Sequence, residues 1–191
     1  MNLRPLVVTG AIGSGKSTVS KLLEDFGAHR VDLDQLSREV LETESGQRFV
    51  EVNWPWVTTD SGIDRAALAR IVFTNASELQ RLEQFVHPLV MSEFRARYAW
   101  LSPLAVEVSV PFSITIDNGF VVLVDTPEDG RFERLMHRGM ASEDISARLA
   151  SQAARFEWLK LADAVVSNQG PETELRRDVE SFWVWWTEAR L

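Results

Sequence analysis

The chain has 191 residues, 45% hydrophobic and 25% charged, which suits one globular domain with at most a modest insertion and excludes a disordered chain. It has no cysteine, and its three histidines (His29, His87, His137) are too far apart for ligand spacing, which excludes disulfides, thiolate centres and a protein-built zinc site. A net charge of -8 without a long basic run argues against nucleic acid, and no apolar stretch approaches the roughly 20 residues of a membrane span. The start, MNLRPLVVTG, lacks a signal-peptide pattern, so the expected protein is cytoplasmic with no membrane partner.

Leu3 to Thr9 is a short apolar run ending at glycine, which predicts a buried parallel strand. Lys16 to Phe26 places Val19, Leu22, Leu23 and Phe26 at helical spacing, and Gly27 ends that helix. Ala28 to Asp32 predicts a second strand, followed by a helix through Leu41. From Gly46 to about Trp100 several helices are expected, one capped by Asp64 and another with Pro88 early in it. Glu51 to Gly62 has the composition of a loop. Leu104 to Val110, Gly119 to Val124 and Ala164 to Val166 return to strand character. Helices are expected over Glu128 to Arg138, Ser142 to Gln152 and Pro171 to Arg190. In the last, Val179, Phe182, Trp183 and Trp186 form one stripe for the core, with Trp185 off it. Strands alternating with helices predict an α/β fold with a mostly parallel sheet.

Gly10 to Ser17 fits GxxxxGK[ST], with a strand before it and a helix after it. The glycines let the backbone bend so that the N–H groups of residues such as Ala11, Ile12, Gly13, Ser14, Gly15 and Thr18 surround an anion. The following helix N-terminus adds partial positive charge. Lys16 is expected to reach the β- and γ-phosphates of ATP, and Ser17 to offer its hydroxyl to Mg²⁺. No guanine-reading NKxD or protein-kinase signature occurs. The short chain and helical middle instead fit a small-molecule kinase.

An ordered series of motifs along nearly the whole chain resembles the dephospho-coenzyme A kinase family. Thr9 to Val19 is close to that family's TGGIGSGKSTV, and Val31 to Val40 resembles its DADxIAREV. Ile63 to Leu68, Ile71 to Phe73, Leu82-Glu83, Val86-His87-Pro88-Leu89, Val110-Pro111, Val124 to Glu128, Glu133 to Arg138, Ala147 to Leu149 and Gln152 follow in the same order. The resemblance implies a three-layer P-loop kinase fold with a five-stranded, mostly parallel sheet. Its single domain would have a core over about 1–42, 103–128 and 160–191, a helical acceptor-binding insertion over about 43–102, and a helical lid over about 129–159. It implies transfer of the ATP γ-phosphoryl to the ribose 3'-hydroxyl of dephospho-CoA, by a monomer or weak homo-oligomer.

On this resemblance Asp34 matches the catalytic aspartate. Independently, it follows the second strand at the carboxyl end of the sheet, where ligands of open α/β sheets bind. Its alternative role is a helix N-cap. Asp32 and His87 are expected near the acceptor, with a structural role open to each. Arg134, Arg138 and Arg148 come from the lid-like segment. Arg138, beside Gly139, is favoured as the catalytic arginine and Arg148 as a nucleotide contact, against solvated pairing with Glu133, Glu143 or Asp144. Asn168 and Gly170 follow the last strand, where this architecture contacts adenine by backbone.

The chain departs from the family pattern at several points. Ala11 replaces a glycine, and Ser109 and Thr115 replace the two acids of DVPLLFE. Phe156 and Trp158 stand where polar residues are common, Ser167 replaces an aspartate, and Asn53 to Trp56 replaces a loop that often carries Phe-Gly. An altered acceptor, or a nucleotide-binding regulator without turnover, therefore remain as alternatives.

Overall fold

A computed structural model describes residues 3–59, 62–109 and 115–189. Val110 to Ile114, within the segment that departs from the family pattern, lie outside the described residues, as do Asp60, Ser61 and Arg190. The chain divides into two compact units, one formed by residues 1–32 with 101–191 and the other by residues 33–100.

The first unit holds five parallel strands: β1 (Leu6–Thr9), β2 (His29–Asp32), β5 (Leu104–Glu107), β6 (Phe120–Asp125) and β7 (Ala164–Ser167), in the spatial order β2-β5-β1-β6-β7. Short apolar runs give such strands because a parallel sheet is covered on both faces. Side-chain alternation turns Leu6, Val8, Phe120, Val122 and Val124 to one face. There they meet Val19, Leu22 and Leu23 of α1 (Lys16–Asp25) and Leu175, Val179 and Trp186 of α9 (Glu172–Ala189). Phe182 and Trp183 complete the expected stripe, and Trp186 is fully buried. Trp185, half-exposed, lies 6.0 Å from Phe120 and 5.9 Å from Phe182, centroid to centroid. Helix α1 stops where Gly27 takes φ 113°, with Ala28 N–H on Leu23 O at 2.9 Å and Gly27 N–H on Glu24 O at 3.0 Å. This is a Schellman closure, open to glycine at little steric cost. Three further helices belong to this unit: α6 (Glu128–His137), α7 (Ser142–Ser151) and α8 (Arg155–Leu161). The last falls in a stretch where no element was expected.

The second unit is helical, with α2 (Leu33–Glu42), α3 (Glu44–Asn53), α4 (Arg65–Thr74) and α5 (Ala76–Arg97). A small antiparallel pair, β3 (Thr58–Thr59) and β4 (Gly62–Ile63), joins them. Asp64 caps α4, accepting Ala67 N–H at 3.0 Å.

Two expectations change in this unit. The stretch from Glu51 to Gly62 is not one loop: α3 runs to Asn53, a 3-10 turn covers Pro55–Val57, and Trp54 is buried with Val50, Val57, Leu68 and Val72. Its indole donates to Glu78 Oε2 at 2.8 Å. Burial of a large ring with a satisfied N–H outweighs the polar composition around it. Pro88 lies well inside α5 rather than near its start. That helix begins at Asn75, whose Oδ1 accepts Ser77 N–H at 3.0 Å. Val86, Val90 and Phe94, buried at i, i+4 and i+8, hold it through the one hydrogen bond that proline removes.

Candidate active site

The loop from Gly10 to Gly15 leaves β1 and delivers the chain into α1. Its start is pinned where buried Thr9 donates through Oγ1 to Val108 O at 2.8 Å. Gly15 has φ 97°, and a Cβ there would collide with Asn168 Nδ2, so conformation and close approach both demand glycine. Ala11, which replaces a family glycine, is not among the residues at positive φ and carries its methyl without strain. No side chain caps α1, so its first N–H groups and its dipole face whatever the loop encloses. Lys16 Nζ lies over the loop, donating to Gly10 O at 2.9 Å.

The back of the loop is braced through one carbonyl. Ser14 O accepts from Asn168 Nδ2 at 2.8 Å, Thr126 Oγ1 at 2.9 Å and Arg134 Nη1 at 3.2 Å. Arg134 Nη2 also donates to Asn168 O at 2.8 Å. Burial, followed by repulsion from Arg138, lowers the Arg134 pKa below the ordinary arginine value. Its place at the helix break beside Gly139 favoured Arg138, but it is the half-buried Arg134 that touches the loop. Arg138 closes α6 and is exposed, and Arg148 on α7 is exposed too. Asn168, buried after β7, meets the loop through its side chain.

A second cluster lies at the other end of the loop, and the sequence reading missed its centre. Glu107, buried at the end of β5, accepts the Ser17 hydroxyl at 2.6 Å through Oε1 and pairs with Arg30 Nη2 at 3.0 Å through Oε2. Strand register sets Asp32 of β2 beside Glu107. A lone acid closing the apolar run LAVE was the available signal. Glu107 ends β5 two residues before Ser109, so a carboxylate remains near the mouth of the sheet although Ser109 has none. Ser17, Asp32 and Glu107 are hard oxygen donors of the kind Mg²⁺ takes alongside substrate phosphates. Among the described residues, no group of three or more acids and histidines could hold a metal by itself, and Mg²⁺ sites of this kind do not need one.

In the helical unit, α2 begins at Leu33, so Asp34 lies within its first turn and Asp32 occupies the position before it. His87 is half-buried in α5. Desolvation lowers its pKa despite the opposing charge of Glu83, which favours the neutral imidazole.

A parallel sheet whose first strand runs through a glycine loop into an uncapped helix, with a lysine over the loop and a hydroxyl-carboxylate pair beside it, defines a P-loop phosphotransferase. The family model for dephospho-CoA kinase matches residues 5–174. The chain belongs to the dephospho-CoA kinase family, whose members are ATP-dependent kinases. A dephospho-CoA kinase of Streptomyces avermitilis is 37% identical over 187 residues, covering 92% of this chain and 90% of that one. A solved structure from Thermus thermophilus superposes with a TM-score of 0.84 at 31% identity, covering 96% of this chain and 98% of that chain. The dephospho-CoA kinase of Campylobacter jejuni gives a TM-score of 0.72 at 25% identity and covers 98% of both chains. No helix among the described residues is long and apolar enough to cross a membrane.

Proposed function

We propose that this chain transfers the γ-phosphoryl of ATP to the ribose 3'-hydroxyl of dephospho-CoA, with the loop from Gly10 to Ser17 as donor site and Asp34 as the group that orients the acceptor. The observation that carries the reading is the loop, braced behind by Arg134 and Asn168 and flanked by the Ser17–Glu107 pair. Backbone N–H groups of the loop and of the start of α1 surround the β- and γ-phosphates, and Lys16 neutralises charge on them. Bound Mg²⁺ supplies further neutralisation of the phosphate oxygens. Ser17 and Asp32 would hold that ion, with Glu107 accepting the Ser17 proton so that the hydroxyl's lone pairs remain available. Asp34 stands two residues beyond Asp32, a chain length of at most about 7 Å. It accepts a hydrogen bond from the attacking hydroxyl and takes its proton as the new bond forms. Because the transition state is loose, positioning counts for more than early deprotonation. Arg138 and Arg148 close on the triphosphate from the lid-like segment, and His87 contacts the acceptor. The protein works in the cytoplasm as a monomer or weak homo-oligomer.

The test is ADP release with Mg²⁺-ATP against dephospho-CoA, adenosine, nucleoside monophosphates and shikimate, with a no-acceptor control. Release no faster with dephospho-CoA than without acceptor would overturn the reading. Faster release with another acceptor would assign the altered Ser109 to Thr115 segment to a changed specificity.

Two variants probe the supports of the loop. Arg134→Met is expected to raise KM for ATP about tenfold, the scale of one charge-assisted hydrogen bond. Steady-state kinetics over an ATP titration measures it. Glu107→Gln keeps a hydrogen-bond acceptor for Ser17 and removes a charge. It is expected to shift the Mg²⁺ activation curve to about tenfold higher concentration while leaving Mg²⁺-free nucleotide binding unchanged. An unshifted curve would make Glu107 a partner of Arg30 alone.

A further inference from the structure

The link between α7 and α8 reaches the crown of the phosphate loop. Gln152 Oε1 accepts the N–H of Ile12 at 2.9 Å. Only the oxygen end of a carboxamide satisfies a backbone N–H, so the orientation of this amide is fixed, and Nε2 lies on its other side with two donors. The link is tied down where it enters α8 (Arg155–Leu161). Arg155 grips Asp125 at the end of β6, with Nε 3.0 Å from Oδ1 and Nη2 2.6 Å from Oδ2. The buried Trp158 donates its indole N–H to Ala153 O at 3.1 Å.

A cavity of about 190 Å³ opens at this point, lined by Ala11, Ser14, Asp125, Gln152, Arg155 and Trp158 among others. Ser14 Oγ, on its wall and fully buried, has no hydrogen-bond partner among the described residues. The cavity thus sets a buried polar atom suited to a ligand oxygen beside an amide whose donor end the loop backbone does not use.

We propose that Gln152 contacts the terminal phosphoryl of the bound triphosphate through Nε2 while Oε1 holds Ile12, so that this side chain distinguishes a triphosphate from a diphosphate. The proposal rests on the reading of the loop as an ATP site. Gln152 then does two separable things: its oxygen braces the loop, and its nitrogen reads the third phosphate. The Arg155–Asp125 pair fixes the link that delivers it.

Two substitutions separate the functions. Gln152→Glu keeps an acceptor for Ile12 and replaces the donor with a negative oxygen, whereas Gln152→Ala removes both. Calorimetric titration of each variant with Mg²⁺-ADP and with the non-hydrolysable Mg²⁺-AMP-PNP gives the readout. With Gln152→Glu, AMP-PNP is expected to bind at least about tenfold more weakly than to the wild type, and ADP within about twofold. Lowering the pH towards the range in which the new carboxyl is protonated is expected to narrow that gap, because a neutral acid again donates. Gln152→Ala is expected to weaken AMP-PNP more than ADP. Unchanged AMP-PNP binding in Gln152→Glu, or equal weakening of both nucleotides in either variant, would overturn the proposal and leave Gln152 as a brace. A wild-type chain that bound neither nucleotide would overturn the ATP reading itself.

Discussion

Asp34→Asn is expected to lower kcat by about a hundred- to ten-thousandfold while leaving ATP affinity within about twofold of the wild type. The substitution keeps the shape of the side chain and a carbonyl oxygen for the acceptor hydroxyl, but the amide cannot take the proton that leaves as the phosphorus–oxygen bond forms. Asp34 lies in the first turn of α2, where removing a negative charge costs the helix only about 0.3–1 kcal/mol. A large loss of turnover at nearly unchanged melting temperature therefore separates the proton-accepting role from the helical one. Initial rates of ADP release with dephospho-CoA, beside nucleotide titrations of both proteins, make the measurement. Near-normal turnover in Asp34→Asn would reduce the residue to an element of its helix.

Lys16→Ala is expected to weaken ATP binding and to cut turnover by about a hundredfold or more, so that, unlike Asp34→Asn, it moves nucleotide affinity as well as kcat. The ammonium bridges the loop at Gly10 O, 2.9 Å away, and supplies the side-chain cation nearest the crown that the loop itself contributes. Its loss removes charge neutralisation from the ground state and from the transition state, so both kinetic constants move. Lys16→Arg is expected to restore little, because a planar fork does not replace a compact point charge inside a close-fitting loop. Turnover within about tenfold of the wild type for Lys16→Ala would contradict the assignment.

Most of the sheet was legible because three of its strands are apolar runs, LVVT, LAVE and VVLVD, and because glycines mark the turn from β1 into α1 and the end of α1 at Gly27. The α9 stripe was legible from helical spacing and packs as expected. The turn around Trp54 was not, since nothing in the stretch says which of its two tryptophans finds Val50, Leu68 and a carboxylate for its indole: Trp54 is buried and Trp56 exposed. Around the loop, spacing named the cradle residues but not their supports. Arg134 and Arg138 are one helical turn apart and look alike in sequence. Which of them meets Ser14 depends on how α6 meets the phosphate loop, a relation between segments more than 100 residues apart. Glu107 was hidden for a similar reason, since its partners Ser17 and Arg30 are 90 and 77 residues away.

The convergence of three donors on the carbonyl of Ser14 bears on the opposite side of the same peptide plane. That carbonyl is conjugated with the nitrogen of Gly15, so drawing electron density towards oxygen leaves the Gly15 N–H more positive. Asn168, Thr126 and Arg134 thus act on an anion they need not touch: each sharpens a donor dipole inside the loop by polarising it from behind. A glycine-rich sequence bends the backbone into a cradle, and side chains from α6, β7 and their neighbours set how strongly one amide of that cradle pulls.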